Sequence, residues 1–248
     1  MTPCLFLAGI VMPAALRYRS LFDALGAAAR PIAQELVLYN AAPAIPESYS
    51  IDMEIDALDR VTSAAGLETF HLYGHSGGGA IALAYVAAHP DRVLSLALDE
   101  PSSDFSDDDF AGPYWSEIQA LGALPSEERI PAFRRLQVKP GLALAPLAEP
   151  RPSWMADGPA RIAAFSAAVP RHRIGAERYA GFKGPVYYSY GSLTHPRYER
   201  LREHLATVFA DFRAERYEGL HHLECSHQVE PVRVAAALRG LWRRSHPA

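Results

Sequence analysis

A glycine-rich segment at residues 74–78 constrains the fold more than any other feature of this sequence. Its residues, Gly-His-Ser-Gly-Gly, have the pattern G-x-S-x-G, and they lie between the apolar run 70–73 and the small-residue stretch 80–89. The pattern predicts a sharp turn from a buried strand into a helix, in which the glycines let the turn close and the serine hydroxyl stands clear of the backbone. An ordinary glycine-rich turn is the alternative. The strand before the turn and the helix after it favour Ser76 as a nucleophile.

The same turn would aim the first amide groups of the following helix at the space above Ser76. A negatively charged oxygen that forms there during acyl transfer is stabilised by such donors. We therefore predict that the Gly77 N–H is one donor of an oxyanion hole.

Apolar runs that alternate with amphipathic stretches predict the fold class. We expect strands at 4–9, 35–39, 69–73, 93–98, 185–190 and 212–217, and helices at 14–29, 51–65, 80–89, 196–208 and 230–242. Continuous apolar runs are typical of strands buried on both faces of a parallel sheet. Strands that alternate with helices form right-handed crossovers. The sequence therefore predicts an α/β fold with a mostly parallel sheet and helices on both faces.

The alternation stops between residues 103 and 183. This segment contains nine of the twenty prolines and three short amphipathic stretches, 114–121, 126–136 and 157–169. A disordered linker is the alternative, but the segment has enough large apolar side chains to pack, namely Trp115, Phe133, Trp154, Ile162 and Phe165. We predict a helical cap at 103–183, inserted at the carboxyl end of the sheet, and a core formed by 1–102 and 184–248.

Charge and composition disfavour several classes of protein. A net charge of −4 gives no basis for binding nucleic acid or an anionic membrane. The longest apolar stretches have about ten residues, whereas a membrane-spanning helix needs roughly twenty. The acidic run 107–109 lacks the alternating spacing of a metal site, so we predict no metal.

Cysteine content and the amino terminus bear on the compartment. Cys4 and Cys225 are too few for a disulfide framework, and the start Met1-Thr2-Pro3 lacks the basic region of a secretion signal. We expect a soluble cytoplasmic protein that acts on a small molecule. Nothing in the sequence indicates an oligomeric state.

Two stretches carry a resemblance to a known family. Residues 71–80, His-Leu-Tyr-Gly-His-Ser-Gly-Gly-Gly-Ala, and residues 88–93, Ala-His-Pro-Asp-Arg-Val, resemble the nucleophile elbow and the next helix-to-strand connection of the α/β-hydrolase superfamily. The resemblance extends along almost the whole chain. Members usually begin with an antiparallel pair of strands, whereas this chain starts in what resembles their third strand. The resemblance therefore implies a reduced sheet of about six strands.

The family also implies a second oxyanion donor after the first parallel strand, generally just after a His-Gly pair. Here the corresponding residues are Ala8-Gly9-Ile10, so the glycine is present and the histidine is not. A backbone donor tolerates a change of side chain. We therefore predict the Ile10 N–H as this donor, with the Val11 N–H as the second choice.

The base is expected after the last strand, where the family places a histidine a few residues beyond a glycine. Gly219-Leu220-His221-His222 lies there. The chemistry needs an imidazole that takes the serine proton and returns it to the leaving group, with its other nitrogen held by a carboxylate. We choose His222, and His221 and His227 are the competitors.

The acid departs from the usual pattern. Most members place a carboxylate at a position that corresponds to 191–194, which here is Gly-Ser-Leu-Thr. Other members place it after the strand that follows the nucleophile helix, where this chain has Asp99 and Glu100. Neighbouring residues of a strand point to opposite faces, so only one of the two can meet His222. The resemblance to members with Glu-Pro at this point favours Glu100.

Taken together, these residues predict a serine hydrolase that cleaves ester-like bonds, such as an esterase, lactonase or thioesterase, and needs no cofactor. A serine at the elbow disfavours the epoxide and haloalkane branches, which the resemblance says use a carboxylate there. A carbon–carbon bond hydrolase or an acyltransferase could use the same residues, and a non-catalytic binding module is the alternative of another class. Cys225 is not expected to be the nucleophile, because no glycine turn presents it.

Overall fold

The computed structural model describes residues 3–27, 29–40, 45–105, 107–147 and 149–245. The strands are β1 Cys4–Leu7, β2 Pro31–Gln34, β3 Phe70–His75, β4 Val93–Asp99, β5 Val186–Gly191 and β6 Phe212–Tyr217. The helices are α1 Ala14–Arg17, α2 Arg19–Leu25, α3 Val37–Asn40, α4 Ile51–Ala64, α5 Gly77–Ala88, α6 Asp107–Ala111, α7 Pro113–Ala120, α8 Ser126–Leu136, α9 Gly158–Ala168, α10 Arg197–Val208, α11 Ser226–Val229 and α12 Pro231–Ser245.

The six strands form one sheet in the order β2-β1-β3-β4-β5-β6, and every neighbouring pair is parallel. The predicted α/β class and the six-stranded parallel sheet are thereby confirmed. Pro31 begins β2 at the edge of the sheet, a place where a residue without an amide hydrogen is tolerated. The carboxyl ends of β1, β3 and β4 lie side by side, so the loops that follow them meet at one edge.

Side chains of the central strands alternate between two apolar layers. In β1, Leu5 and Leu7 pack with one layer, to which α4 and α5 contribute Leu58 and Leu83. Cys4 and Phe6 pack with the other layer, to which α2 contributes Leu21, α12 contributes Val234 and Leu238, and the residue before α2 contributes Tyr18. This alternation is what the two-residue period of a strand requires when both faces are covered.

The prediction of a strand at 35–39 is wrong. The strand lies at Pro31–Gln34, and the apolar residues that follow it form the short helix α3. Two backbone amides of this turn, those of Val37 and Leu38, lie 2.8 and 3.4 Å from the Glu54 carboxylate, which satisfies donors that a helix start leaves free. The apolar run is therefore buried as a helical turn capped by a distant side chain.

The helix expected at 14–29 is two helices in the structure. Tyr18 separates α1 from α2, with φ −101° and ψ 7°, and its hydroxyl donates to the Leu7 carbonyl at 2.7 Å. The start of α1 is held by Glu35, whose carboxylate accepts from the Ala14 amide at 3.0 Å. The second helix ends at Gly26, where φ is 63°; residue 28 lies outside the described residues.

Between β4 and β5 the described residues form helices and no strand. The amphipathic stretches predicted there correspond to α7, α8 and α9. Their apolar side chains are buried with the main core, including Trp115, Phe133, Ile162 and Phe165. The division of the chain into a core and a cap remains a prediction. Among the described residues, no helix combines the length and the apolar character needed to cross a bilayer.

Candidate active site

Ser76 occupies the turn between β3 and α5. Its φ is 53°, a left-handed conformation that costs a non-glycine residue on the order of 1–3 kcal/mol. The glycines on either side are required by close approach: a Cβ on Gly74 would lie 2.5 Å from the Gly78 oxygen, and one on Gly78 would overlap the Leu7 carbonyl. Ser76 N donates to the Asp99 carbonyl at 3.0 Å. The turn therefore presents the hydroxyl at the end of the central strand.

The His222 imidazole lies between Ser76 and Glu100. Its Nε2 is 2.9 Å from Ser76 Oγ, and its Nδ1 is 2.7 Å from Glu100 Oε2. The ring is buried and stacks on Tyr198, with centroids 5.2 Å apart. This geometry lets one nitrogen accept the serine proton while the other donates to a carboxylate. The structure thus brings together the three residues that the sequence predicted, although their catalytic roles remain predictions.

Glu100 reaches His222 because the chain turns directly after β4, where its φ is 46°. Glu100 Oε1 accepts from the Gly191 amide at 2.7 Å, and Oε2 accepts from Thr194 Oγ1 at 3.0 Å. Residues 191–194, which contain no carboxylate, thus donate two hydrogen bonds to Glu100. Together with His222 Nδ1, these groups hold the Glu100 carboxylate at three points.

The competing residues lie elsewhere. Asp99 accepts from His227 Nδ1 at 2.6 Å and from Ser189 Oγ at 2.9 Å. His221 Nδ1 accepts from the Leu223 and Glu224 amides at 3.3 and 3.2 Å. Neither histidine contacts Ser76 among the hydrogen bonds of the described residues.

The two predicted oxyanion donors lie next to the nucleophile. A Cβ on Gly9 would be 3.0 Å from Ser76 Cβ, and one on Gly77 would be 2.8 Å from Ile10 Cγ2. In the described part of the chain, the hydrogen bonds assigned to protein acceptors include neither the Ile10 nor the Gly77 amide as donor. Both amides therefore remain candidates for binding a substrate oxygen, with Val11 N–H as the alternative.

Two side chains that the sequence analysis missed orient this loop. Tyr39 OH donates to the Gly9 carbonyl at 3.3 Å, and Arg161 Nε donates to the Ile10 carbonyl at 3.2 Å. In a trans peptide the N–H points away from the C=O, so holding the Gly9 carbonyl fixes the direction of the Ile10 N–H. The Arg161 guanidinium lies over the Tyr39 ring, 4.4 Å from its centroid. No local pattern signals these contacts, because Arg161 is 151 residues from Ile10.

Comparison with known proteins agrees with the fold. A family model of the α/β hydrolase fold matches residues 23–137. An esterase from Thermogutta terrifontis has a TM-score of 0.72 at 17% identity, covering 99% of this chain and 91% of that one. A hydrolase from Pseudomonas aeruginosa has a TM-score of 0.71 at 20% identity, with coverages of 97% and 90%. The chain has the α/β-hydrolase fold.

Proteins that this chain resembles differ in their reactions. The 2-hydroxy-6-oxo-6-phenylhexa-2,4-dienoate hydrolase from a Rhodococcus species superposes with a TM-score of 0.66 at 16% identity, covering 98% of this chain and 91% of that one. By sequence, the 1-acylglycerol-3-phosphate O-acyltransferase of Homo sapiens is 38% identical over 74 residues. That match covers 28% of this chain and about a fifth, 21%, of the relative. At these levels, the solved structures show the fold and not the reaction.

A cavity of about 390 Å³ opens beside Ser76 and His222. Much of its wall is apolar and comes from α8 and the segment that follows it. The apolar residues there are Ile130, Phe133, Leu147, Pro152, Trp154 and Met155. Arg134 lies on the same side, and Arg17 and Gln228 are polar residues at the other walls. Ser102 Oγ lies 3.3 Å from Ser76 Oγ, on the side of a much smaller apolar recess. The cavity can hold a small organic molecule against the nucleophile.

Behind His222 lies a second buried network. His75, Asp99, Cys225 and His227 place donor atoms within 4.8 Å of one another, the spacing of a metal site. Arg17 Nη1 is 3.5 Å from Cys225 Sγ, and burial raises the pKa of that thiol far above its usual value. A positively charged guanidinium repels a metal cation, and a protonated thiol is not a metal ligand, so both disfavour metal binding here. We therefore assign these four residues to hydrogen bonding and ring packing, in which the His75 ring lies 4.9 Å from the His222 ring.

Proposed function

We propose that this chain is a serine hydrolase that cleaves ester-like bonds through an acyl-enzyme. The observation that carries the proposal is one continuous line of contacts, from Ser76 Oγ to His222 at 2.9 Å and from His222 to Glu100 at 2.7 Å, beside an apolar cavity. Activation of a serine requires a base within hydrogen-bond reach and a group that orients the base.

In the first half of the reaction, Ser76 Oγ attacks the carbonyl carbon of the substrate while His222 Nε2 takes its proton. Glu100 stabilises the imidazolium, and the Ile10 and Gly77 amides stabilise the oxyanion. The oxyanion collapses, His222 gives the proton to the leaving oxygen, and the acyl group stays on Ser76. In the second half, water attacks the acyl-enzyme, His222 takes a proton from it, and the acid product leaves as Ser76 regains its proton.

The segment 103–183 serves as the cap in this proposal. Its helix α8 provides Ile130, Phe133 and Arg134 to the cavity wall, opposite the loop after β1. Contacts of this kind choose the substrate by size and polarity, whereas the reacting groups come from the strand ends.

An acyltransferase is the second candidate, because the relative that matches 74 residues bears that name. The acyl-enzyme forms in the same way, and an alcohol then replaces water as the acceptor. Product analysis with and without an added alcohol separates the two: ester formation that outpaces hydrolysis at millimolar alcohol favours the transferase.

The test is covalent labelling by a fluorophosphonate, combined with turnover of short 4-nitrophenyl esters. We expect the wild-type chain to be labelled on Ser76, and Ser76→Ala to lose labelling and to fall at least about 10⁴-fold in kcat. Stability should change little, since alanine has the same Cβ as serine and bears a similar cost at the backbone angles of residue 76. Labelling that survives in Ser76→Ala would refute the assignment, and a wild-type chain that is neither labelled nor active would favour a binding module.

A further inference from the structure

The walls of the active-site cavity are positively charged, although the chain as a whole is acidic. Arg17 from α1 and Arg134 from α8 both line the cavity, and no aspartate or glutamate among the described residues does so. The net charge of the chain is −4, so the excess of positive charge at the cavity does not follow from the composition of the chain. A cavity with low-dielectric walls concentrates the potential of such charges.

Arg17 has no carboxylate partner within 4 Å in the described part of the structure. Its Nη1 donates to Gln228 Oε1 at 2.7 Å and lies 3.5 Å from Cys225 Sγ, while its Nε is buried without a hydrogen-bond partner. The nearby carboxylates are already used, since Asp99 accepts from His227 and Glu100 from His222. A partly buried guanidinium with unfilled donors is stabilised by an anion.

Arg134 lies on the cap side of the same cavity. Its Nη2 donates to the Ala145 carbonyl at 2.9 Å, and the ion pairs of the described residues do not include it. Glu149, which lies outside the cavity wall between Leu147 and Pro152 in the chain, is paired with Arg151 at 3.0 Å. A second guanidinium thus lines the cavity, and a single hydrogen bond to the Ala145 carbonyl leaves N–H donors of Arg134 for an anion.

We propose that the substrate is an ester or thioester that carries an anionic group, a carboxylate or a phosphate, which Arg17 binds within the cavity and Arg134 attracts at its cap side. The proposal rests on the proposed function and names its substrate class. The apolar wall of Ile130, Phe133 and Met155 would contact the hydrocarbon part between the anion and the reacting carbonyl. Guanidinium groups bind both kinds of anion in a bidentate manner.

The experiment compares mono-4-nitrophenyl adipate with its methyl ester, two substrates that differ in one negative charge. We expect the wild type to prefer the anionic ester at least about tenfold in kcat/KM, and this preference to shrink between 0.05 and 0.5 M salt, as expected for screened charges. A series of shorter and longer diacid monoesters locates the spacing between the anion and the carbonyl. Free adipate and inorganic phosphate are each tested as inhibitors of methyl-ester hydrolysis. The stronger inhibitor shows whether the site prefers a carboxylate or a phosphate.

Arg17→Met and Arg134→Met should each lower kcat/KM for the anionic ester far more than for the methyl ester, so that most of the preference is lost. Arg135→Met is the matched control, because Arg135 neighbours Arg134 on α8 but does not line the cavity. Thermal unfolding of each variant checks that Arg17→Met still folds. Equal turnover of both esters by the wild type would overturn the proposal.

Anion binding can be measured separately from ester hydrolysis. Calorimetric titration of the Ser76→Ala protein with free adipate and with phosphate measures anion binding without turnover. Binding that Arg17→Met abolishes supports the anion site even if no ester is cleaved, in which case the proposed function fails alone. Active, labelled enzyme that binds neither anion refutes the anion site and leaves the hydrolase proposal intact.

Discussion

Two buried histidine–carboxylate pairs lie side by side in this molecule, and only one of them contacts the hydroxyl of Ser76. His222 Nδ1 lies 2.7 Å from Glu100, and His227 Nδ1 lies 2.6 Å from Asp99. The other nitrogen of His222 contacts Ser76 Oγ at 2.9 Å, whereas His227 Nε2 is buried without a hydrogen-bond partner. A histidine held by a carboxylate is therefore a common structural unit. The serine turn at the end of β3 is what distinguishes the candidate site.

The two pairs differ because the backbone turns between residues 99 and 100. Asp99 ends β4 and points to the layer of Tyr73, whose hydroxyl lies 3.4 Å from it. Glu100, with φ of 46°, points to the other side and meets His222. One step along the chain thus separates a packing interaction from the proposed catalytic acid.

We expect the largest difference in kcat between the two pairs when each carboxylate is replaced by its amide, in Glu100→Gln and Asp99→Asn. An amide in place of Glu100 loses the charge that stabilises the imidazolium, so we expect kcat on a 4-nitrophenyl ester to fall by about four powers of ten with little change in KM. Asp99→Asn should reduce kcat by less than about tenfold, because Asp99 contacts no reacting group. Steady-state kinetics on both variants measure the contrast.

Thr194 offers a control for this prediction. Its hydroxyl lies 3.0 Å from Glu100 Oε2, the oxygen that faces His222. An aspartate placed there in the Glu100→Gln protein should restore part of the turnover, if the new carboxylate reaches the same nitrogen. Full activity of Glu100→Gln together with a dead Asp99→Asn would reverse the acid assignment.

A second prediction concerns how stability depends on pH. Burial lowers the pKa of His227, although Asp99 opposes this shift, and burial together with the charge of Arg17 lowers the pKa of His75 well below its usual value of 6.5. Below about pH 6.5 the unfolded chain therefore binds protons that the folded chain does not. The free energy of unfolding should decrease as the pH falls from 7 to 5, by up to about 1.4 kcal/mol per pH unit for each histidine.

Denaturant titrations at pH 7, 6 and 5 measure this slope. His227→Asn keeps a donor near Asp99 but cannot titrate, so its slope should be shallower than that of the wild type. A stability that does not change between pH 7 and 5 would contradict the burial argument for both histidines.

The sequence predicted most of the sheet and the three principal residues of the candidate site, for physical reasons that the structure makes visible. Continuous apolar runs such as β1 identify buried strands, and the glycines of the serine turn are needed by atomic contact. The missing carboxylate at 191–194 left Asp99 and Glu100 as the candidates near the strand end. The alternation of side chains along a strand indicated that only one of the two could meet His222, and the resemblance to proteins with Glu-Pro at this point favoured Glu100.

What the sequence did not predict depends on contacts between distant residues. The turn at Val37 forms because Glu54, from another helix, accepts its amide, and no local propensity encodes this. The same holds for Arg161, which contacts the Ile10 carbonyl from the cap segment, and for the pairing of Asp99 with His227. Long-range side-chain contacts of this kind need the fold before they can be identified.

The smallest expected effect belongs to Cys225, which lies between the two histidine pairs. Its thiol donates to the His222 carbonyl at 2.9 Å and lies 3.4 Å from His75 Nε2, but no contact joins it to Ser76. Because burial raises the thiol pKa, little thiolate exists at neutral pH, and the group is a poor nucleophile. Cys225→Ser supplies a hydroxyl donor of similar shape, so kcat/KM should stay within about threefold of the wild-type value, and iodoacetamide should modify the native wild type only slowly at pH 7. A loss as large as that of Ser76→Ala would instead require Cys225 to take part in the reaction, and the line from Ser76 through His222 would no longer describe the site.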